Sequence, residues 1–117
     1  MFVDIRAMGF ALTEAIRRHV ETRVGSALGP CASSVLTVTA RLEDINADRG
    51  GIDKRCNLVA VIRGRGVLVA ESIRQDLYAA IDEASGRIRR SVQRHLTRRI
   101  ARQRKDHPRP GALPMPG

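Results

Sequence analysis

Between Leu77 and Leu96 apolar residues return every three or four positions, at Leu77, Ile81, Ala84, Ile88, Val92 and Leu96, and no proline interrupts the chain until Pro108. At about 3.6 residues per turn that spacing forms one stripe along an α-helix. Asp76 stands in the N-cap position, so the segment predicts a helix from there to about residue 105, roughly 40 to 45 Å long. A helix with a single apolar stripe must lay it on another layer, and one this long outruns a strand of ordinary length. Its last turns are therefore expected to project beyond the body of the fold.

The upstream sequence supplies the other layer. Phe2, Val3 and Ile5 precede Gly9 and predict a first strand over about residues 2 to 6. Thr13 then stands as an N-cap with Glu14 behind it, and Leu12, Ile16, Val20, Val24 and Leu28 make one stripe of a first helix that Gly29-Pro30 stops. Residues 35 to 43 alternate, with Leu36, Val38, Ala40 and Leu42 expected inward and Thr37, Thr39, Arg41 and Glu43 outward. After a loop over Asn46–Asp53 a third strand spans about residues 54 to 63, with Cys56, Leu58, Ala60 and Ile62 inward. Gly64-Arg65-Gly66 is a hairpin turn, and Val67–Ser72 returns as a fourth strand.

The order is β-α-β-β-β-α. One helix joins strands one and two, which lets them pair in parallel, and the rest is an antiparallel meander. The fold class is α+β: a two-layer sandwich of a four-stranded mixed sheet with two helices packed on one face. One domain is expected over residues 1–105, followed by a disordered Pro- and Gly-rich tail, 106–117.

Charge then separates body from partner surface. Through Gly86, eleven Arg and Lys balance eleven Asp and Glu; from Arg87 onward ten basic residues face Asp106 alone and carry the whole net charge of +9. A basic block on a neutral body is the footprint of a polyanion binder. On a helical wheel Arg87, Arg90, Arg94 and Arg98 share a sector about 80° wide, roughly opposite the middle of the apolar arc, as a row of phosphate contacts would. Arg102 and Arg104 extend the charge along the projecting end. A face shaped for solubility alone would mix both signs, and none of residues 87 to 105 is acidic. Phe2, Phe10 and Tyr78 are the only aromatics, too few for recognition by base stacking.

Other chemistries find no support. His19, His95 and His107 lack metal-ligand spacing, and Cys31 and Cys56 are isolated thiols that fit a reducing cytoplasm. Asp82-Glu83 is explained by the dipole at a helix start. Neither a nucleophile motif nor a phosphate-binding glycine loop is present. The chain is therefore expected to be no enzyme, to use no cofactor, to take no small-molecule substrate and to stay off membranes, since its longest apolar run, Leu58–Ile62, cannot span one.

The run Asp76-Leu77-Tyr78-Ala79-Ala80-Ile81-Asp82, followed by Arg87-Ile88 and Arg90, resembles the hallmark of the ribosome hibernation-promoting factors, also known as the ribosome-associated translation inhibitor or sigma-54 modulation family. Thr13, Ala15, Ile16, Arg17, Val20, Glu21, Arg23 and Val24 resemble the family's first helix, so the likeness covers about residues 2 to 98. It implies the same β-α-β-β-β-α fold. It also implies a cytoplasmic factor that binds small-subunit rRNA in the channel of mRNA and of A- and P-site tRNA, inhibits translation and preserves idle ribosomes. By position, the implied RNA-binding residues are Arg17, Arg23, Arg87, Arg90, Arg94 and Arg98, with Tyr78 matching the motif tyrosine. The chain departs from the pattern at Ala7-Met8, where the family usually has glycine and a basic residue, at His19, which replaces a common aromatic, and at Ser85-Gly86, a weak helix-forming pair. It resembles the short form, with no dedicated dimerisation domain. Two alternatives compete with this reading: a regulator docking on an acidic protein, and a non-specific nucleic-acid binder.

Overall fold

The computed structural model describes residues 1–45, 53–64 and 66–106, with the side chains of residues 99–106 left aside. Along the chain run β1 (Phe2–Met8), α1 (Glu14–Leu28), a 3-10 segment (Gly29–Ser34), β2 (Val35–Asp44), β3 (Lys54–Ile62), β4 (Gly66–Arg74) and α2 (Leu77–Asp106). The strands form one sheet in the order β1-β2-β3-β4. β1 lies parallel to β2, and the other two pairs are antiparallel. The expected fold class is the one observed. Most of the loop expected over Asn46–Asp53, Arg65 of the hairpin and the tail from His107 fall outside the described residues.

Local chemistry sets the ends of the helices. Thr13 Oγ1 accepts a hydrogen bond from the Ile16 amide at 3.2 Å and caps α1. Asp76 Oδ1 accepts from the Tyr78 amide at 3.1 Å where α2 begins. Gly9 holds φ at +86°, and a Cβ there would stand 3.3 Å from the Asp44 carbonyl oxygen. The chain thus leaves β1 by a turn that only glycine makes without strain, hard against the end of β2.

Both helices cover the same face of the sheet. The core joins Val20, Val24 and Leu28 of α1 to Ile81, Ala84, Ile88 and Val92 of α2 over the inward residues of the strands. In β3 these are Cys56, Leu58, Ala60 and Ile62, the alternation its sequence sets. In β2 the expectation needs a correction. Val38, Ala40 and Leu42 point inward, but Leu36 is 41% exposed and Val35 is buried in its stead. The register slips between Val35 and Thr37, where two β2 residues oppose one step of β3. This bulge turns Leu36 out and sets Val35 beside Ile62.

α2 reaches farther than its apolar stripe. Leu96 is the last residue of the stripe packed on the core, and the helix continues to Asp106, about 15 Å farther along its axis. The projecting end is the geometric result of a helix of 30 residues laid on strands of 9.

Candidate nucleic-acid interface

Two adjacent acids dock the first half of α2. Asp82 faces α1, where its Oδ1 meets His19 Nε2 at 2.7 Å and Arg23 Nε at 2.9 Å. The His19 ring stands edge-on to Tyr78, with centroids 4.7 Å apart. Glu83 faces β4, where it accepts from the Ser72 hydroxyl and pairs with Arg74 at 3.3 Å and Arg87 at 3.4 Å. The Ser72 hydrogen bond, with the Arg87, Arg74 and Arg90 guanidinium groups, holds the Glu83 carboxyl below its ordinary pKa. Neither acid lies in the first turn, so the helix-dipole explanation does not hold. They are clasps that fix α2 between α1 and β4.

The arginines of α2 sort by this arrangement. Arg87 donates to the Glu71 carbonyl oxygen of β4 as well as pairing with Glu83. Arg90, Arg94 and Arg98 are exposed and make no hydrogen bond or direct ion pair among the described residues. The three line one shallow groove with Gln93 and Thr97. Arg94 and Arg98 also border a smaller depression shared with Leu68, Ser91 and His95 at the edge of β4. The row runs along the flank of α2 beside β4, where Arg94 and Arg98 come next to Leu68. That flank adjoins the free edge of the sheet, since β4 is its last strand.

The two arginines of α1 stand apart from this row. Arg23 is bound to Asp82 on the opposite flank of α2. Arg17 is exposed in the first turns of α1, with no hydrogen bond or ion pair to the other five among the described residues. Of the six residues singled out from sequence, the structure gathers Arg90, Arg94 and Arg98 into one groove, while Arg87 is held upstream by Glu83 and the Glu71 carbonyl. Residues missed in sequence are Gln93 and Thr97, which line the same groove with an amide and a hydroxyl. Their signal was the same i, i+4 spacing on the neighbouring line of the helix. Arg102 and Arg104 lie where side chains are not described.

The arrangement can bind an extended anion. Three guanidinium groups without a direct ion pair among the described residues, spaced by a turn, present forked donors along about 12 Å of helix, a span that meets successive phosphates. Among the described residues no cluster of three or more His, Cys, Asp or Glu could hold a metal ion, and no helix is long and apolar enough to cross a membrane. Both cysteines are free; burial pushes the Cys56 thiol up to about 12 and raises that of Cys31, the latter against a nearby Arg89.

Residues 3–100 match the family described as sigma 54 modulation protein / S30EA ribosomal protein. The chain is 28% identical over 92 residues to the chloroplastic ribosome-binding factor PSRP1 of Spinacia oleracea. That match takes in 77% of this chain and 30% of the relative, so the chain spans under a third of the length of the curated relative it matches. Among solved structures, the fold is similar to the N-terminal domain of Thermus thermophilus Protein Y, with a TM-score of 0.68 and 26% identity, covering 81% of this chain and 99% of that one. A ribosomal subunit interface protein from Coxiella burnetii shares the fold with a TM-score of 0.73 at 13% identity, covering 83% and 99% of the two chains.

Proposed function

The chain belongs to the sigma 54 modulation protein / S30EA ribosomal protein family, and on that premise we propose that it is a hibernation factor that binds small-subunit rRNA in the mRNA and tRNA channel. It inhibits translation by occupying the A and P sites and so preserves idle ribosomes. It acts by occlusion rather than by catalysis, in the compartment of the ribosomes it serves. Residues 1–105 act as one binding domain. Arg90, Arg94 and Arg98 make the main phosphate contacts, Arg17 adds one from α1, and Arg23 and Arg87 contribute through their ion-paired clusters.

The observation that carries this reading is the row of exposed arginines on the β4 flank of α2, Arg90, Arg94 and Arg98, which make no direct ion pair among the described residues. Like charges one turn apart repel, and a polyanion relieves them. Long phosphate-lined RNA on the ribosome surface is such a partner. The two relatives above 25% identity, a ribosome-binding factor and Protein Y, support the same direction.

Co-sedimentation with ribosomes and separated subunits at low and moderate salt tests the proposal. The expected result is co-migration with the small subunit and the whole ribosome, lost as salt rises, and not displaced by excess duplex DNA. Protein left at the top of the gradient at low salt would refute it and turn the search to acidic proteins. Displacement by DNA would reduce the activity to non-specific nucleic-acid binding.

A further inference from the structure

The helices cover one face of the sheet, and the other face lies open. Across it, the strand register sets outward side chains in level rows. At one end Phe2, Thr37, Val61 and Val67 stand side by side, and Val59 and Val69 follow in the next row. Phe2 is 66% exposed, Val67 62% and Val69 56%. Singly exposed apolar residues are ordinary; a contiguous set on a flat sheet face marks a contact surface. Farther along, a polar row runs from Arg6 and Arg41 through Asn57 to Glu71, positive at the β1 side and negative at the β4 side.

We propose that this face docks a second copy of the chain, the two sheets packing face to face about a two-fold axis parallel to the strands. Such an axis keeps each row level and reverses its strand order, so β1 of one copy lies over β4 of the other. Phe2 then covers Val67, and Thr37 covers Val61. Arg6 meets Glu71, and Arg41 meets Asn57. In the last row Met8 covers Ile73 while Glu43 meets Arg55. Apolar groups thus meet apolar or threonine side chains, Arg6 and Arg55 meet acids, and Arg41 meets the Asn57 amide. Asp4 lies over Val69 at the rim and is already paired with Arg6 in its own chain at 3.0 Å, as Arg55 is with Glu43. A two-fold axis across the strands would instead lay Val61 over Arg55 and Val69 over Glu71. The face is self-complementary about the first axis.

The area sets the strength. Four strands about 4.8 Å apart and seven residues at about 3.3 Å give a face of roughly 19 by 23 Å. A sandwich of two such faces buries on the order of 900 Å² in all, just below the range of stable interfaces. The dimer is therefore weak and governed by concentration. Both helices stay on the outside of it, so the arginine row remains accessible.

Sedimentation velocity of the full chain over a concentration series tests the proposal, with Val67→Glu, Arg6→Glu and the double variant Arg6→Glu/Glu71→Arg. The wild type is expected to pass from monomer to dimer as concentration rises. Val67→Glu sets an acid against Phe2, and Arg6→Glu sets one against Glu71; each is expected to raise the dissociation constant about tenfold or more, with the double variant recovering to within about threefold of wild type. These side chains are exposed, and unchanged melting temperatures would show that the variants fold. A wild type that stays monomeric at the highest soluble concentration overturns the proposal, as does dimerisation that Val67→Glu and Arg6→Glu leave untouched. A double variant no better than Arg6→Glu overturns the assigned axis.

Discussion

Neutralising the groove row by Arg90→Gln, Arg94→Gln and Arg98→Gln together gives the sharpest test of the electrostatic reading. Each guanidinium bound to a phosphate releases a counterion, so the logarithm of affinity falls with that of salt by about 0.7 to 0.9 per contact. Of the six candidate arginines, Arg23 and Arg87 already face carboxylates, and binding of a phosphate there yields little net release. Arg17 and the groove row leave four contacts, for which a rise from about 50 to 200 mM salt weakens binding at least roughly 50- to 150-fold. In the triple variant one of the four remains and the same step costs about threefold. Basic residues beyond Arg98 add equally to both proteins, so the difference between the two salt slopes, about 2 to 3, is the diagnostic. The assay is titration of labelled protein with small subunits at constant magnesium and varied monovalent salt. Arg23→Gln and Arg87→Gln should leave the slope nearly unchanged and lower the melting temperature only slightly, since ion pairs this open to water are well screened. Parallel salt plots for wild type and the triple variant would refute the reasoning.

Three further outcomes follow from the packing and the titrating groups. Ile88 is fully buried, and Ile88→Ala should cost about 2 to 5 kcal/mol in denaturant titrations while keeping the sign and slope of the salt response. Cys56, with its thiol pushed up to about 12 by burial, should resist alkylation in the native protein and react only on unfolding, whereas the half-buried Cys31 should label first; mass spectrometry of timed samples checks the order. The folded pKa of Glu83 lies below its ordinary value of 4.5, so its stabilising effect is complete above that value and is lost as pH falls through the lower folded one. The difference in melting temperature between wild type and Glu83→Gln should accordingly be largest near neutrality and shrink in acid.

Elements whose order rests on their own periodicity were legible in the sequence. The inward set of β3 and the Thr13 cap need only local chemistry, and both stand as the spacing and residue types require. Leu36 could not be placed that way, because Val35 and Leu36 are equally apolar and only pairing with Ile62 on β3 decides which turns inward. The acids of α2 failed for a related reason. Sequence distance from the helix start suggested a dipole role, while their partners Arg23, Ser72 and Arg74 lie on other elements. The same blindness hid which arginines are spoken for. The wheel placed Arg87 with Arg90, Arg94 and Arg98, and only the approach of β4 distinguishes it from them.

A helix carrying an unbalanced row of arginines has to remain a helix in the free protein, and the magnitudes show why this one does. Arg90–Arg94 and Arg94–Arg98 are two like-charged i, i+4 pairs, each unfavourable by about 0.2 to 0.5 kcal/mol. Ile88 and Val92, on the other side of the same turns, are fully buried, and each contributes about 1.5 to 3 kcal/mol by leaving water. Burial therefore exceeds repulsion severalfold through Val92, and half-buried Leu96 carries the balance one turn farther. The clasps at Asp82 and Glu83 fix the helix upstream, so the row is held in place without using an acid from within it. Its repulsion is left to be relieved by a partner rather than by the chain itself. An acid introduced into the row, as in Arg94→Glu, should for that reason stabilise the free helix slightly while weakening ribosome binding more than Arg94→Gln does. A variant that gained stability without losing affinity would show that the row is a solvated face and nothing more.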